Sequence, residues 1–352
     1  MADRAHEITD AIIKDTERRL RQEYETAAAE LEEKLNDHFR RYRIKDEKWR
    51  QWVEQGKKTK KEYKEWRTGQ LAVGKRWQQM KETIAEDMKN VNLIARQICL
   101  DQRIDIYAVN HAFGTYQVEH SGGLNTSYTL YNHEAVEKIL RENPDLLPPP
   151  GKKVSKAIAE GKAKRWAKQS VQSAMTQGIM QGDSIPKLAR RLATNVCDSD
   201  YKAAVRNART MATGAENGGR YDAYRRARDM GIDLTIEWAA TLDNRTRHTH
   251  RQMHGQRTTV DEPFVVDGIE IMYPGAGGEN IPQELIWNCR CSLLAWVEGF
   301  EHDTLTDSDK MTMDFDDWLD VEEGEEEFLP ILSQYEKGRN IKMQWQRKYA
   351  NG

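Results

Sequence analysis

Cysteine is almost missing from this chain, which has four in 352 residues. Cys99 and Cys197 stand alone, and Cys289 and Cys291 sit one residue apart. So sparse a set excludes the disulfide framework of a small secreted domain. Long apolar runs are missing as well. No window approaches the ~18 uninterrupted apolar residues that would suggest a membrane span, and the opening MADRAHEITDAIIKDTERRL has no apolar core of signal-peptide length. The expectation is a soluble protein made in a reducing compartment, with no membrane partner. Hydrophobic residues are 38% of the chain and charged residues 32%, so apolar material is concentrated in particular segments. Parts of the chain are expected to be elongated or to need a partner, and the length allows two or three domains.

Familiar catalytic signatures are absent too. No nucleophile elbow, phosphate-binding glycine loop or paired-carboxylate motif stands out. MQGDSIP and TGAENGGR place glycines at or near helices, but neither follows a clear strand in a βαβ setting, which excludes a dinucleotide site.

What is present is charge, unevenly spread. The net charge is -3, yet residues 40–81 are strongly basic and residues 301–327 are acidic, with Lys310 the one lysine there. The basic stretch also carries Trp49, Trp52, Trp66, Trp77, Tyr42 and Tyr63. Lys57, Lys58, Lys60 and Lys61 with Trp66 are candidate nucleic-acid contacts, because lysine neutralises phosphate and aromatic faces stack on unpaired bases. The alternative is a helix anchored by its Trp side with solvated lysines. The acidic stretch holds Phe315, Trp318, Leu319, Phe328 and Leu329, either to fold onto a partner, to pair with the basic region, or as a solvated tail in which Trp318 packs back.

Periodicity gives the architecture. Ile8, Ile12, Thr16, Leu20, Tyr24, Ala28, Leu31, Leu35 and Phe39 recur at steps of three or four, which predicts one long amphipathic helix with a narrow apolar stripe. Residues 84–110 are again helical. A small hairpin is expected in AFGTYQVEHSGGLNTSYTLYNHEAVEKIL, turning near Gly122-Gly123, and the prolines at 148–150 mark a connection. Residues 154–230 predict three helices, separated at QGDSIP, where Asp183 or Ser184 caps, and at CDSD, where Asp198 or Ser199 caps. Gly231 ends the last. The period then shortens. LTIEWAATL, FVVDGIEIMY with its Asp267-Gly268 hairpin signal, and CRCSLLAWV predict strands. The fold class is α+β and predominantly helical: long N-terminal helices, then a C-terminal domain of helices packed on a small antiparallel sheet. The division expected is 1–147, 152–299 and an acidic tail, 300–352.

The pieces ARTMATGAENGGRYDAY, WAATLDNRTRHTHRQMHGQ, FVVDGIEIMYPG and IWNCRCSLLAW, in that order, resemble the phage Mu protein F-like head morphogenesis family over roughly Ser184 to Val297. The specific residues are Trp238, Asp243, Arg245, Arg247, His250 and Gly255, with the closing Asn288, Cys289, Arg290 and Cys291. The resemblance implies a minor capsid protein of a tailed double-stranded DNA phage. Such a protein is made in the bacterial host cytoplasm and located in the virion head, and acts at the portal or procapsid in head assembly and DNA packaging or delivery. Its implied partners are the portal protein and a major capsid or scaffolding protein, with packaged DNA as a further candidate. Neither enzymatic turnover nor a small-molecule substrate is implied.

Two questions stay open at this level. Cys289 and Cys291, on one face if they lie in a strand, with His250 and His254 at i, i+4 form a candidate Cys2His2 structural zinc site. The same residues also suit a packed core, or the cysteines a redox pair. Asp243, Arg247 and His250 suit a metal-assisted nuclease or transferase. Equally, Asp243 with Arg245 and Arg247 suits an ion-paired network that fixes the loop.

Overall fold

Helix periodicity over the first forty residues becomes a single helix. The computed structural model describes residues 3–73, 75–122, 136, 138, 162–278, 280–297, 314–316 and 318. Its helix α1 runs Arg4–Glu54, and Ile8, Ile12, Thr16, Leu20, Tyr24, Leu31, Leu35 and Phe39 on the predicted stripe are all buried. Then come α2 (Lys60–Arg67), a π-helical segment (Thr68–Val73), α3 (Lys75–Gly122), α4 (Lys162–Met180) and α5 (Ile185–Asp229). The sheet region follows with β1 (Leu234–Ala239), α6 (His248–Met253), β2 (Arg257–Thr259), β3 (Phe264–Val266), β4 (Ile269–Ile271), α7 (Gln283–Ile286) and β5 (Ser292–Val297). The α+β, predominantly helical class is as expected.

Two expectations for the helices are corrected. AFGTYQVEHSG is the end of α3 rather than the start of a hairpin; the residues after Gly122 through which that hairpin was drawn lie outside the described set. CDSD does not separate two helices, because α5 continues through it for 45 residues. Asx and Ser favour caps only when their side chains lack better partners. Here Asp198 pairs with Lys202 at 2.6 Å, and Asp200 accepts a hydrogen bond from Asn92 at 2.9 Å. The other separator holds: Ser184 Oγ accepts the Lys187 N–H at 3.4 Å, and Asp183 pairs with Lys187 and Arg191.

The chain forms two compact units. One draws on Glu17–Ile98 and Gly151–Val205, the other on Met1–Thr16, Cys99–Pro150 and Arg206–Gly352. These units divide α1, α3 and α5 between them, whereas the boundaries expected at 147–152 and 299–300 lie outside the described residues. In the first unit Phe39 stacks on Trp77 with ring centroids 5.9 Å apart, and the Tyr24 hydroxyl donates to Asn92 at 2.6 Å.

In the second unit α5 ends as Gly231 requires. The Ile232 N–H reaches Ala227 C=O and the Gly231 N–H reaches Arg228 C=O, closing the last turn as in a Schellman motif. Gly219 on α5 lets two helices touch, since a Cβ there would lie 2.4 Å from the Tyr107 carbonyl oxygen. Strand β1 is central in an antiparallel sheet of order β2-β1-β5. Its alternation buries Leu234, Ile236 and Trp238, each aliphatic side chain contributing roughly 1.5–3 kcal/mol. The second sheet is the β3-β4 hairpin, turning through Asp267 (φ 51°) and Gly268 (φ 75°) as the Asp-Gly signal predicted. Phe264 from this hairpin packs edge-on to Trp238 at 5.4 Å.

The acidic stretch is anchored within the same unit. Phe315 and Trp318 are buried in a cluster with Ile8, Ile12, Tyr107 and Phe113. Trp318 Nε1 donates to Glu119 at 2.9 Å, and Arg4 Nε to the Asp316 carboxylate at 2.8 and 2.9 Å. Leu319, Phe328 and Leu329 lie outside the described residues.

Candidate metal centre

The register of β5 on β1 positions the site. Leu293 pairs with Trp238 and Ser292 with Ala239, so the Cys-Arg-Cys segment just before β5 is delivered to the end of β1. Cys289 and Cys291 therefore lie in the turn preceding the strand, not within it as expected, and both are buried. Asn288 initiates the turn at φ 49°, a left-handed conformation that Asn tolerates better than most residues.

Side chains hold the turn by its backbone. On α5, Thr210 Oγ1 accepts the Asn288 N–H at 3.1 Å, and Thr213 Oγ1 donates to Cys289 C=O at 2.6 Å. Asn217 donates to Cys291 C=O at 3.0 Å and accepts the Leu293 N–H at 2.7 Å. The Thr241 hydroxyl donates to Arg290 C=O at 2.7 Å. Three successive carbonyls are thus each satisfied by a side chain, as buried backbone requires. Sequence reasoning missed Thr210, Thr213 and Asn217. Their signal was present, since spacing of three and four puts them on one face of a helix.

Into this turn α6 directs His250. Its Nδ1 stands 3.2 Å from Cys291 Sγ and 3.6 Å from Cys289 Sγ, and the three donor atoms all lie within 4.8 Å of one another. Trp238 meets the His250 ring edge-on at 6.1 Å. His250 Nε2 makes no hydrogen bond, while the Trp238 side chain acts on Cys291. The two thiols are coupled. A hydrogen bond from Cys289, aided by His250 and opposed by burial, lowers the Cys291 thiol below the ordinary range. The same bond, with burial, pushes Cys289 well above the ordinary thiol range.

His254 is not in the cluster. It is exposed at the end of α6, and its Nδ1 accepts the Ala240 N–H at 3.2 Å. That bond fixes the exit from β1, and the fourth position of the expected Cys2His2 set is left without this ligand. Beside it Gly255 takes φ 78°, open to glycine without a Cβ penalty. Its N–H donates to Trp238 C=O at 2.9 Å.

Asp243 is held by arginine, though chiefly by Arg290. That guanidinium makes a forked pair with the carboxylate at 2.7 and 2.8 Å, while Arg245 Nε lies 3.7 Å away and the Arg245 N–H donates to Asp243 Oδ1. The Arg290 hydrogen bonds hold the Asp243 carboxyl far below the ordinary carboxylate range. Arg247 reaches the Trp287 carbonyl instead. Asp243, Arg247 and His250 thus each have separate partners. The first two tie the loop after β1 to the Cys-Arg-Cys turn, and the third faces the thiols.

The basic candidates lie in the other unit. Lys57, Lys60 and Lys61 are exposed and Lys58 half-buried, with Lys58 Nζ 5.6 Å from the Trp49 ring centroid. Trp66 is half-buried and stacks with both Trp49 and Tyr63, so its ring already has aromatic neighbours.

With this geometry in place, comparison with known proteins is informative. Residues 169–294 match the family model described as Phage Mu protein F like protein. This segment is similar to that family. All ten motif residues, from Trp238 to Cys291, fall inside it. A protein of Enterococcus faecalis (strain ATCC 700802 / V583) named NAD(+)--arginine ADP-ribosyltransferase EFV is 28% identical over 210 residues, covering 58% of this chain and 40% of that protein. Minor head protein GP7 of Bacillus phage SPP1 is 26% identical over 223 residues, covering 62% of this chain and 67% of GP7. The chain thus spans well under half of the first relative's length. No solved structure matches. Among the described residues no helix is long and apolar enough to cross a membrane.

Proposed function

We propose that this chain is a minor capsid protein of a tailed double-stranded DNA phage, acting at the portal or procapsid in head assembly and in DNA packaging or delivery. The observation that carries the reading is the Mu F-like match over residues 169–294, joined to likeness to a protein named for its place in the phage head. The local geometry supports it: two of the motif residues, Asp243 and Arg290, are engaged with one another, which suits a scaffold better than turnover. The implied location is the virion, and the implied partners are portal, major capsid or scaffolding proteins. For DNA, the stacking of Trp66 with Trp49 and Tyr63 favours phosphate contact by the exposed lysines over base stacking. Such binding falls steeply with salt. Co-expression with the portal protein of the same genome tests the reading, and a complex of fixed ratio by native mass measurement is expected. A well-folded chain that never co-purifies with portal, capsid or scaffolding protein would overturn it.

The likeness to the ADP-ribosyltransferase supports a second, enzymatic reading. It is the weaker one, because the matched part is only 40% of that protein. A metal-assisted nuclease or transferase built on His250, Arg247 and Asp243 predicts activity that His250→Ala abolishes. Incubation with labelled NAD(+) and an arginine-bearing acceptor, and with DNA plus divalent metal, is expected to give no product from either protein.

A further inference from the structure

We propose that Cys289 Sγ, Cys291 Sγ and His250 Nδ1 bind one zinc ion, with water as the fourth ligand, and that this ion clamps the segment after β1 to the turn before β5. The inference is independent of the head-protein reading.

Three arguments carry it. The donors come from two segments some forty residues apart, yet their atoms gather within 4.8 Å, and two thiolates with one imidazole are a donor set that zinc takes. The turn is also held in place before any ion arrives: the carbonyls of Cys289, Arg290 and Cys291 are bonded by Thr213, Thr241 and Asn217. Second-shell support of this kind orients ligands. Finally, the alternative of a plain core accounts poorly for His250. It is 3% exposed, its Nδ1 faces only sulfur, and its Nε2 has no partner. A buried imidazole nitrogen whose contacts are only to sulfur is poorly satisfied in a plain core. Zinc at Nδ1 replaces the weak sulfur–nitrogen contacts by coordinate bonds.

Three protein ligands instead of four follow from His254, whose Nδ1 is used by Ala240. On binding, Zn2+ takes the two sulfurs as thiolates, and any protons they still carry pass to solvent. No bond to carbon changes and no electron moves. The three buried ligands join α6 to the turn before β5, and the water position stays exchangeable.

Co2+ titration of the full chain, first stripped of metal by a chelator under reducing conditions, tests the site. Expected are one Co2+ per chain, a near-ultraviolet sulfur-to-cobalt charge-transfer band, visible bands of tetrahedral intensity, and displacement by Zn2+. Cys291→Ser should remove the charge-transfer band or weaken binding at least tenfold, whereas the double variant Cys99→Ser, Cys197→Ser should keep both. Zinc should raise the melting midpoint of wild type and chelator lower it. A stripped wild-type chain with native circular dichroism that binds no Co2+ would overturn the proposal. So would an unchanged band in Cys289→Ser and in Cys291→Ser. If the serine variants do not fold, wild-type stoichiometry and His250→Gln decide: loss of tetrahedral bands in a folded His250→Gln chain supports the site, and their persistence overturns it.

Discussion

Each compact unit buries one arginine completely among the described residues, and the two are treated very differently. Arg220 forms a forked pair with Asp3 at 2.8 Å on both nitrogens, donates to Asn110 at 3.0 Å, lies 3.6 Å from Glu216 and covers the Phe113 ring at 4.8 Å. Burial works against its charge, but Asp3 and Glu216 more than offset it, so its pKa rises. Arg67 sits as deep with less. Its Nε is 3.0 Å from Asp46, yet none of its nitrogens makes a well-aligned hydrogen bond, while Asp46 is also held by Arg50 and the Tyr63 hydroxyl. Equal burial therefore does not mean equal worth: a buried ion stabilises only when its geometry repays desolvation.

Arg220→Met should have the largest effect, about 3–5 kcal/mol lost in denaturant unfolding, because Asp3 loses its forked partner and the buried Glu216 is left with His6. A loss under about 1 kcal/mol would show that the network is not an anchor. The histidine on the same network comes next. His6 Nδ1 is 2.7 Å from Glu216, and that hydrogen bond, with burial opposing and Glu216, Asp10 and Asp3 adding charge, raises His6 to about 9. A raised pKa means stability fully present below the unfolded value near 6.5 and lost as pH climbs from there to about 9, in all at most about 3 kcal/mol. Unfolding measured across that window should show the decline, and His6→Gln should flatten it. Arg67→Met should have the smallest effect, within ~1 kcal/mol of wild type and of either sign, since Asp46 keeps two partners. A loss as large as that of Arg220→Met would erase the contrast.

Legibility in the sequence follows the range of the interaction. The stripe of α1, the Asp267-Gly268 turn, the end of α5 at Gly231 and strands β1 and β5 were readable because period and turn chemistry are local. The failures needed tertiary knowledge. Nothing local shows that Asp198 and Asp200 will find Lys202 and Asn92 and let α5 run on, nor that α3 continues through Gly114 as far as Gly122. At the site, His250 and the two cysteines were legible as a set. That Arg290, lying between the cysteines, faces outward to Asp243 could not be seen, nor could the loss of His254 to a backbone amide.

The order in which the chain leaves the ribosome now matters. The unit that binds Arg220 closes only when residues from both ends meet, since Arg4 pairs with Asp316 and Asp3 with Arg220. The other unit has all its residues once Val205 is made. Synthesis at about 5–20 residues per second therefore leaves the start of α1 waiting until Arg220 and Asp316 have been made. Its apolar face, Ala5, Ile8 and Ile12, stays uncovered by Phe315 and Trp318 during that interval, which is when a chaperone or an early assembly partner has access to it.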